Sequence, residues 1–153
     1  MAEKDFISPS AFSTRQQFLR WIRVRVTMNT GQMVKLSPHS LSDKRADYRI
    51  ALEEAAGLIV ERLSPLPEIH RISVFGSYAK GRRDLFTDLD VLIVMETHEP
   101  FVDRLRRLYK LLAVPADMDI LCYTPEEYRR MKDLPFLKRA LVDEKVLYEK
   151  KPA

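Results

Sequence analysis

The order of apolar periodicities predicts an α+β fold in which helices back a small mixed sheet. Three observations carry that prediction. A helical stripe over residues 43–63 precedes two short apolar runs, Ile69–Phe75 and Leu89–Met95. A second amphipathic segment, residues 100–113, has crossover length and leads into a third apolar run at 117–123. Three core strands are too few for a doubly wound sheet, so a small sheet with helices against it is expected.

Residues 1–40 read differently from the rest and are expected to form an N-terminal extension. Ser8-Pro9-Ser10 and Ser37-Pro38-His39-Ser40 have loop chemistry. Between them Trp21, Ile22, Val24 and Val26 alternate with Arg20, Arg23 and Arg25. That pattern suits an added strand, a short helix or a flexible extension; the competing reading is an arm that touches nucleic acid or a membrane surface. A single domain over residues 41–150 should follow. Ser42 can cap a helix over 43–63, whose stripe is Tyr48, Leu52, Ala55, Leu58 and Ile59. Ser64-Pro65-Leu66-Pro67 ends it. Ile69–Phe75 is the first strand, and 76–81 a turn with a short helical start. Leu89–Met95 is nearly all apolar, so it belongs in the sheet centre with both faces covered. In the helix over 100–113, Phe101, Val102, Leu105, Leu108, Tyr109 and Leu112 form the apolar face; Asp103, Arg104, Arg106, Arg107 and Lys110 form the wet one. Thr124-Pro125-Glu126-Glu127 is a capping box with proline at the first helical position, opening a helix to about Lys132. A short helix over 134–142 and a last strand over 146–149 complete the chain.

Composition narrows the function classes. Of 153 residues, 46% are hydrophobic and 31% charged, as in an ordinary globular domain. No stretch approaches the roughly 18 apolar residues of a membrane span, and the amino terminus lacks the apolar core of a secretory signal. Cys122 is the sole cysteine, so no intrachain disulfide can form. With His39, His70 and His98 it makes no zinc spacing, and a cytoplasmic location is expected. Residues 1–33 hold five basic and two acidic residues, whereas residues 34–153 hold 21 and 20. The surplus of base lies ahead of the core domain, which is therefore not expected to bind nucleic acid directly.

The chemistry-bearing stretch is Gly76-Ser77, ten residues, then Asp88-Leu89-Asp90. Residues two apart in a strand share a face, so Asp88 and Asp90 point the same way at the head of an apolar strand. Two such carboxylates cannot both stay ionised cheaply without a cation, and a hard ion such as Mg²⁺ is the natural counter-charge. Gly76 lets backbone approach a phosphate without a Cβ clash. Ser77 offers a hydroxyl and an N–H at the start of a short helix. Lys80, Arg82 and Arg83 are candidates to hold a polyphosphate tail, and Asp84 reads as a loop residue. Phe86 could stack on a base, although a ring at such a loop is more often an anchor packed on the core.

The run from Val74 to Val94 resembles the signature of the nucleotidyltransferase superfamily: Gly-Ser, about ten residues, then Asp-x-Asp. It looks most like the minimal nucleotidyltransferases, short members often paired with HEPN-domain proteins in toxin–antitoxin systems. The similarity covers roughly residues 43–149. Thr87 stands where the family usually has Ser and keeps the hydroxyl. Lys80 stands where Arg is common and keeps the charge without the bidentate fork. Met33 would open a chain of more usual family extent.

The resemblance implies a polymerase-beta-like fold and nucleotidyl transfer, with two divalent ions about 3.5–4 Å apart stabilising the attacking and departing oxygens. It places a third carboxylate at the start of the third strand. Asp119 is preferred over Asp117, which shares its face, because Asp119 sits deeper among apolar residues, where a purposeless carboxylate would be costly. The implied catalytic and metal-binding set is Asp88, Asp90 and Asp119, with Gly76, Ser77, Lys80 and Arg82 on the nucleotide. Only about 30 residues follow the third strand, so the acceptor must come with another protein or be that protein. The resemblance suggests AMP transfer from ATP to a hydroxyl of a HEPN-type toxin. The competing classes are a non-catalytic module that masks its partner, and a transferase toward a small aminoglycoside-like molecule.

Overall fold

A four-stranded mixed sheet forms the centre of the computed structural model, which describes residues 41–114 and 116–151. These residues belong to the unit Val34–Ala153. The expected N-terminal extension, residues 1–40, lies outside the described residues.

Helix α1 spans Leu41–Leu63 and begins two residues before the predicted start, which puts Ser42 inside the helix rather than at its cap. Leu52, Ala55, Ile59 and Leu63 are fully buried along one stripe, while Tyr48 and Leu58 are half-buried. Strand β1 is Ile69–Phe75, and the one-turn helix α2, Gly76–Ala79, follows without a linker. Gly76 makes that junction possible. Its φ of 68° lies in the left-handed region, where a Cβ would crowd the carbonyl. Strand β2 is Leu89–Met95, with all seven residues buried. Helix α3 (Phe101–Leu112) crosses to strand β3 (Met118–Tyr123). Helices α4 (Pro125–Met131) and α5 (Pro135–Ala140) precede strand β4, Lys145–Glu149.

The strand order is β3-β2-β1-β4. Strands β1 and β2 pair antiparallel, as do β1 and β4, whereas β2 and β3 run parallel. The helical connection over α3 is what a parallel pair requires. β1 is also tied to β4 by side chains: Arg71 donates from Nη2 to Glu144 at 3.0 Å and reaches Glu149 as well.

Two helix ends repay inspection. α4 carries the predicted capping box: Thr124 Oγ1 accepts from the Glu127 N–H at 3.2 Å, and Glu127 Oε2 accepts from the Thr124 N–H at 2.8 Å. α3 ends at Ala113 in the left-handed conformation, with φ 38° and ψ 49°. Among the described residues Ala113 is the sole non-glycine with positive φ.

Arg104 corrects the reading of α3. It was expected on the wet face, yet it is 5% exposed. Its guanidinium forks onto Glu127 at 2.6 and 2.8 Å, donates from Nε to the Glu99 carbonyl at 2.8 Å and reaches the Cys122 carbonyl. A bidentate arginine can be buried because each donor meets an acceptor. Helical periodicity put it beside Arg106 and Arg107, but an acid from the following helix draws it inward.

Burial would raise the Glu127 carboxyl, but hydrogen bonds from Arg104 and the Thr124 N–H hold it below its ordinary value. A depressed carboxyl contributes stability that is present above its unfolded value, about 4.3, and is lost as pH falls through the folded value. Arg104→Ala should cost about 3 kcal/mol at neutral pH, because it strands Glu127. In urea titrations from pH 7 to pH 3, the wild-type advantage over Arg104→Ala should shrink below about pH 4.3. A gap that stays constant across that range would contradict the pairing.

Candidate active site

One row of residues across three strands organises the site. Phe75, the last residue of β1, pairs with Asp90. Asp90 pairs with Asp119 in β3. Directly paired residues point to one face, and adjacent strands lie about 4.8 Å apart. Asp90 and Asp119 therefore sit side by side, 1% and 8% exposed. Gly76 and Ser77 come immediately after Phe75, at the same end of the sheet. Asp88 lies one residue ahead of β2 and is half-buried; the Leu89 N–H beside it donates to the Asp117 carbonyl at 2.9 Å. Asp117 itself is exposed. The fold thus brings Asp90, Asp119, Gly76 and Ser77 to one end of the sheet with Asp88 adjoining, and it leaves Asp117 facing solvent.

If both Asp90 and Asp119 were ionised with their charges about 5 Å apart, the repulsion would be on the order of 3 kcal/mol. Oxygen donors in this arrangement fit a hard divalent cation. Among the described residues no three His, Cys, Asp or Glu side chains are drawn together as a closed cage. A magnesium site does not need one, since Mg²⁺ keeps several waters and is held by one or two carboxylates plus substrate phosphates.

The cationic candidates have partners of their own. Lys80 Nζ is 3.2 Å from Asp143 Oδ2. Arg82 forks onto Asp84 Oδ2 at 3.0 and 2.8 Å. Arg83 lies over the Tyr78 ring at 3.6 Å and donates to the Tyr78 and Arg82 carbonyls, each at 2.7 Å. Lys80 and Arg82 remain more than half exposed, so both can be reached from solvent.

Asp84 is more than a loop residue. Its Oδ1 accepts from the Phe86 N–H at 2.9 Å and from the Thr87 hydroxyl at 3.1 Å. Hydrogen bonds from Arg82 first, then from the Phe86 N–H, hold its carboxyl below the ordinary range. Thr87 is fully buried, which explains why a hydroxyl is needed just before Asp88: it ties the loop to Asp84. Phe86 is not an anchor on the core. It is 87% exposed at the loop tip.

Two tyrosines hold backbone beside the carboxylates, a role that hydrophobic periodicity conceals. Tyr109 of α3 donates its hydroxyl to the Met118 carbonyl at 3.0 Å and accepts from the Ile120 N–H at 3.2 Å. It thereby spans Asp119 along the outer side of edge strand β3. Tyr48 of α1 donates to the Thr87 carbonyl at 3.0 Å, one residue ahead of Asp88. Burial raises the Tyr48 phenol, and the negative charges of Asp117, Asp88 and Asp84 raise it further. The signal available in the sequence was the residue type: a tyrosine in an apolar stripe needs a partner for its hydroxyl.

A family model described as nucleotidyltransferase domain matches residues 57–148. The chain belongs to that nucleotidyltransferase family. No curated protein matches it. Among solved structures it is similar to a protein from Sulfolobus solfataricus described as a nucleotidyltransferase, with 18% identity over 76% of this chain and 94% of that one and a TM-score of 0.46. It is also similar to a toxin–antitoxin structure with AMP-PNP, with 21% identity over 63% and 74% of the two chains and a TM-score of 0.44. A third, described as a minimal nucleotidyltransferase, is 27% identical over 77% of this chain and all of that one, with a TM-score of 0.32.

Tyr109→Phe keeps the ring and removes both hydroxyl contacts. It should cost about 1–3 kcal/mol, the usual penalty for stranding buried polar groups. Amide hydrogen exchange at Ile120 should speed up more than at Val91 in the neighbouring strand. Equal acceleration at both would mean that the hydroxyl does not hold β3 locally.

Proposed function

We propose that the protein is a metal-dependent nucleotidyltransferase that moves AMP from ATP to a hydroxyl of a partner protein, a HEPN-type toxin, and so acts as its antitoxin. The observation that carries the catalytic part is the strand register that sets Asp90 beside Asp119, one residue across from the start of the Gly76–Ser77 turn. The partner and the direction of transfer rest on the resemblance to minimal nucleotidyltransferases.

Mg²⁺, when bound, supplies positive charge to the α-phosphate and to the leaving pyrophosphate. Asp88, Asp90 and Asp119 are the residues that would hold it. The chain's own groups do the rest. The Gly76–Ser77 turn offers N–H groups and a hydroxyl to phosphate oxygens. Lys80 and Arg82 lie on the loop beyond and can exchange Asp143 and Asp84 for a more highly charged phosphate tail. In this reading Asp119 would accept the proton of the incoming hydroxyl. The attacking oxygen then forms a bond to the α-phosphorus, and the bond to the pyrophosphate oxygen breaks.

The test is label transfer from α-labelled ATP to the partner with Mg²⁺ present. Wild type should label the partner. Asp88→Ala, Asp90→Asn and Asp119→Asn should each lose at least about 100-fold, and chelation by EDTA should abolish transfer. Asp117→Asn should stay within a few-fold of wild type. Absence of transfer, with wild type indistinguishable from Asp88→Ala, would overturn the catalytic reading; full neutralisation of the partner without nucleotide would then establish masking.

A further inference from the structure

A second surface feature adjoins the carboxylates. A cavity of about 560 Å³ opens between the start of α1 and the loop ahead of Asp88, lined by Arg45, Ala46, Arg49, Arg83, Asp84, Leu85 and Phe86. We infer that it docks an acidic, aromatic-bearing polypeptide segment, the part of the acceptor protein that carries the modified hydroxyl. This inference rests on the transferase reading for the role of its ligand, but not for the binding itself.

Charge supports it first. Arg45 and Arg49 stand one helical turn apart on the same face of α1. Both are exposed, and among the described residues neither has a carboxylate partner. Arg82 already balances the one acid in the lining, Asp84. The cavity therefore offers two guanidinium groups that no carboxylate among the described residues engages, the kind of donor that grips a carboxylate bidentately.

The construction of the loop supports it next. An exposed phenylalanine at a loose tip would mean little. This tip is held: Asp84 binds the Phe86 N–H, the Asp84 carbonyl accepts from the Thr87 N–H at 3.0 Å, and Arg83 is fastened over Tyr78. Phe86 is presented to solvent by a hydrogen-bonded scaffold with Leu85, 36% exposed, beside it. An aromatic and an aliphatic group next to arginines have the composition of a protein-binding hot spot.

Single-stranded nucleic acid would also meet arginines and a ring. The charge balance argues against it. Residues 34–153 are nearly balanced in charge, whereas a nucleic-acid binder carries a surplus of base.

The probe is fluorescein-labelled poly(Glu,Tyr), titrated with the full chain by anisotropy at about 0.15 M salt without ATP. Wild type and Asp88→Ala should bind alike. Arg45→Glu combined with Arg49→Glu should weaken binding at least about tenfold, since reversal places like charges face to face. Phe86→Ala should weaken it several-fold while leaving the thermal midpoint unchanged. A control reversal, Lys138→Glu with Arg139→Glu on α5, adds the same negative charge elsewhere and should have little effect. Equal losses for the two reversals, or indifference to both, would overturn the inference. So would tighter binding of poly(U) RNA with the same arginine dependence. Peptide binding that depends on Arg45 and Arg49 without any AMP transfer would leave the docking surface standing and bring down the transferase reading alone.

Discussion

Everything in this molecule that concerns chemistry depends on the hydrogen-bond register between β2 and β3. The side-chain repeat of a strand is two, so a slip of one residue would turn Asp119 to the opposite face and bring Met118 or Ile120 beside Asp90. What fixes the register is apolar: Val91, Leu92 and Ile93 lie against Ile120, Leu121 and Cys122, all buried. A slip would break the packing of that set, which is buried on both strands. The hydrophobic core thus holds two carboxyl groups side by side, and it can do so because only the first residues of each strand carry ionisable acids.

An edge strand is a weak place to hang a precisely positioned group, since its outer N–H and C=O groups have no ladder partner. β3 is such an edge. Here α3 does the work of a missing neighbour. The Tyr109 hydroxyl occupies two backbone groups at the start of the strand. At its end, Arg104 binds the Cys122 carbonyl and the cap of α4 together. Both side chains come from one helix, five residues apart, so the connection that makes the parallel pair also clamps it.

Much of this was legible in the residues. Each strand and helix expected within the described part exists, with ends shifted by a residue or two, because the apolar runs are short, clean and bounded by Pro, Gly or Ser. The convergence of Asp90 with Asp119 was implied by the family resemblance, which puts a carboxylate at the start of the third strand, and it agrees with a helix-length connection between two apolar runs. What could not be read was the second use of side chains. Arg104 looks like any solvated arginine until Glu127 is known to lie opposite. Tyr48 and Tyr109 look like core stripe, because periodicity reports the ring and says nothing of the hydroxyl. Phe86 looks like an anchor because isolated aromatic residues in loops often are. These differences arise from partners distant in sequence, which no local pattern contains.

Ala113 has a consequence for how far the molecule can be altered. A left-handed alanine at a helix end costs about 1 kcal/mol relative to glycine, whose missing Cβ removes the clash. It is exposed. The domain therefore carries a small reserve of unclaimed stability that one substitution can release. Once released, it could offset a destabilising change elsewhere in the domain.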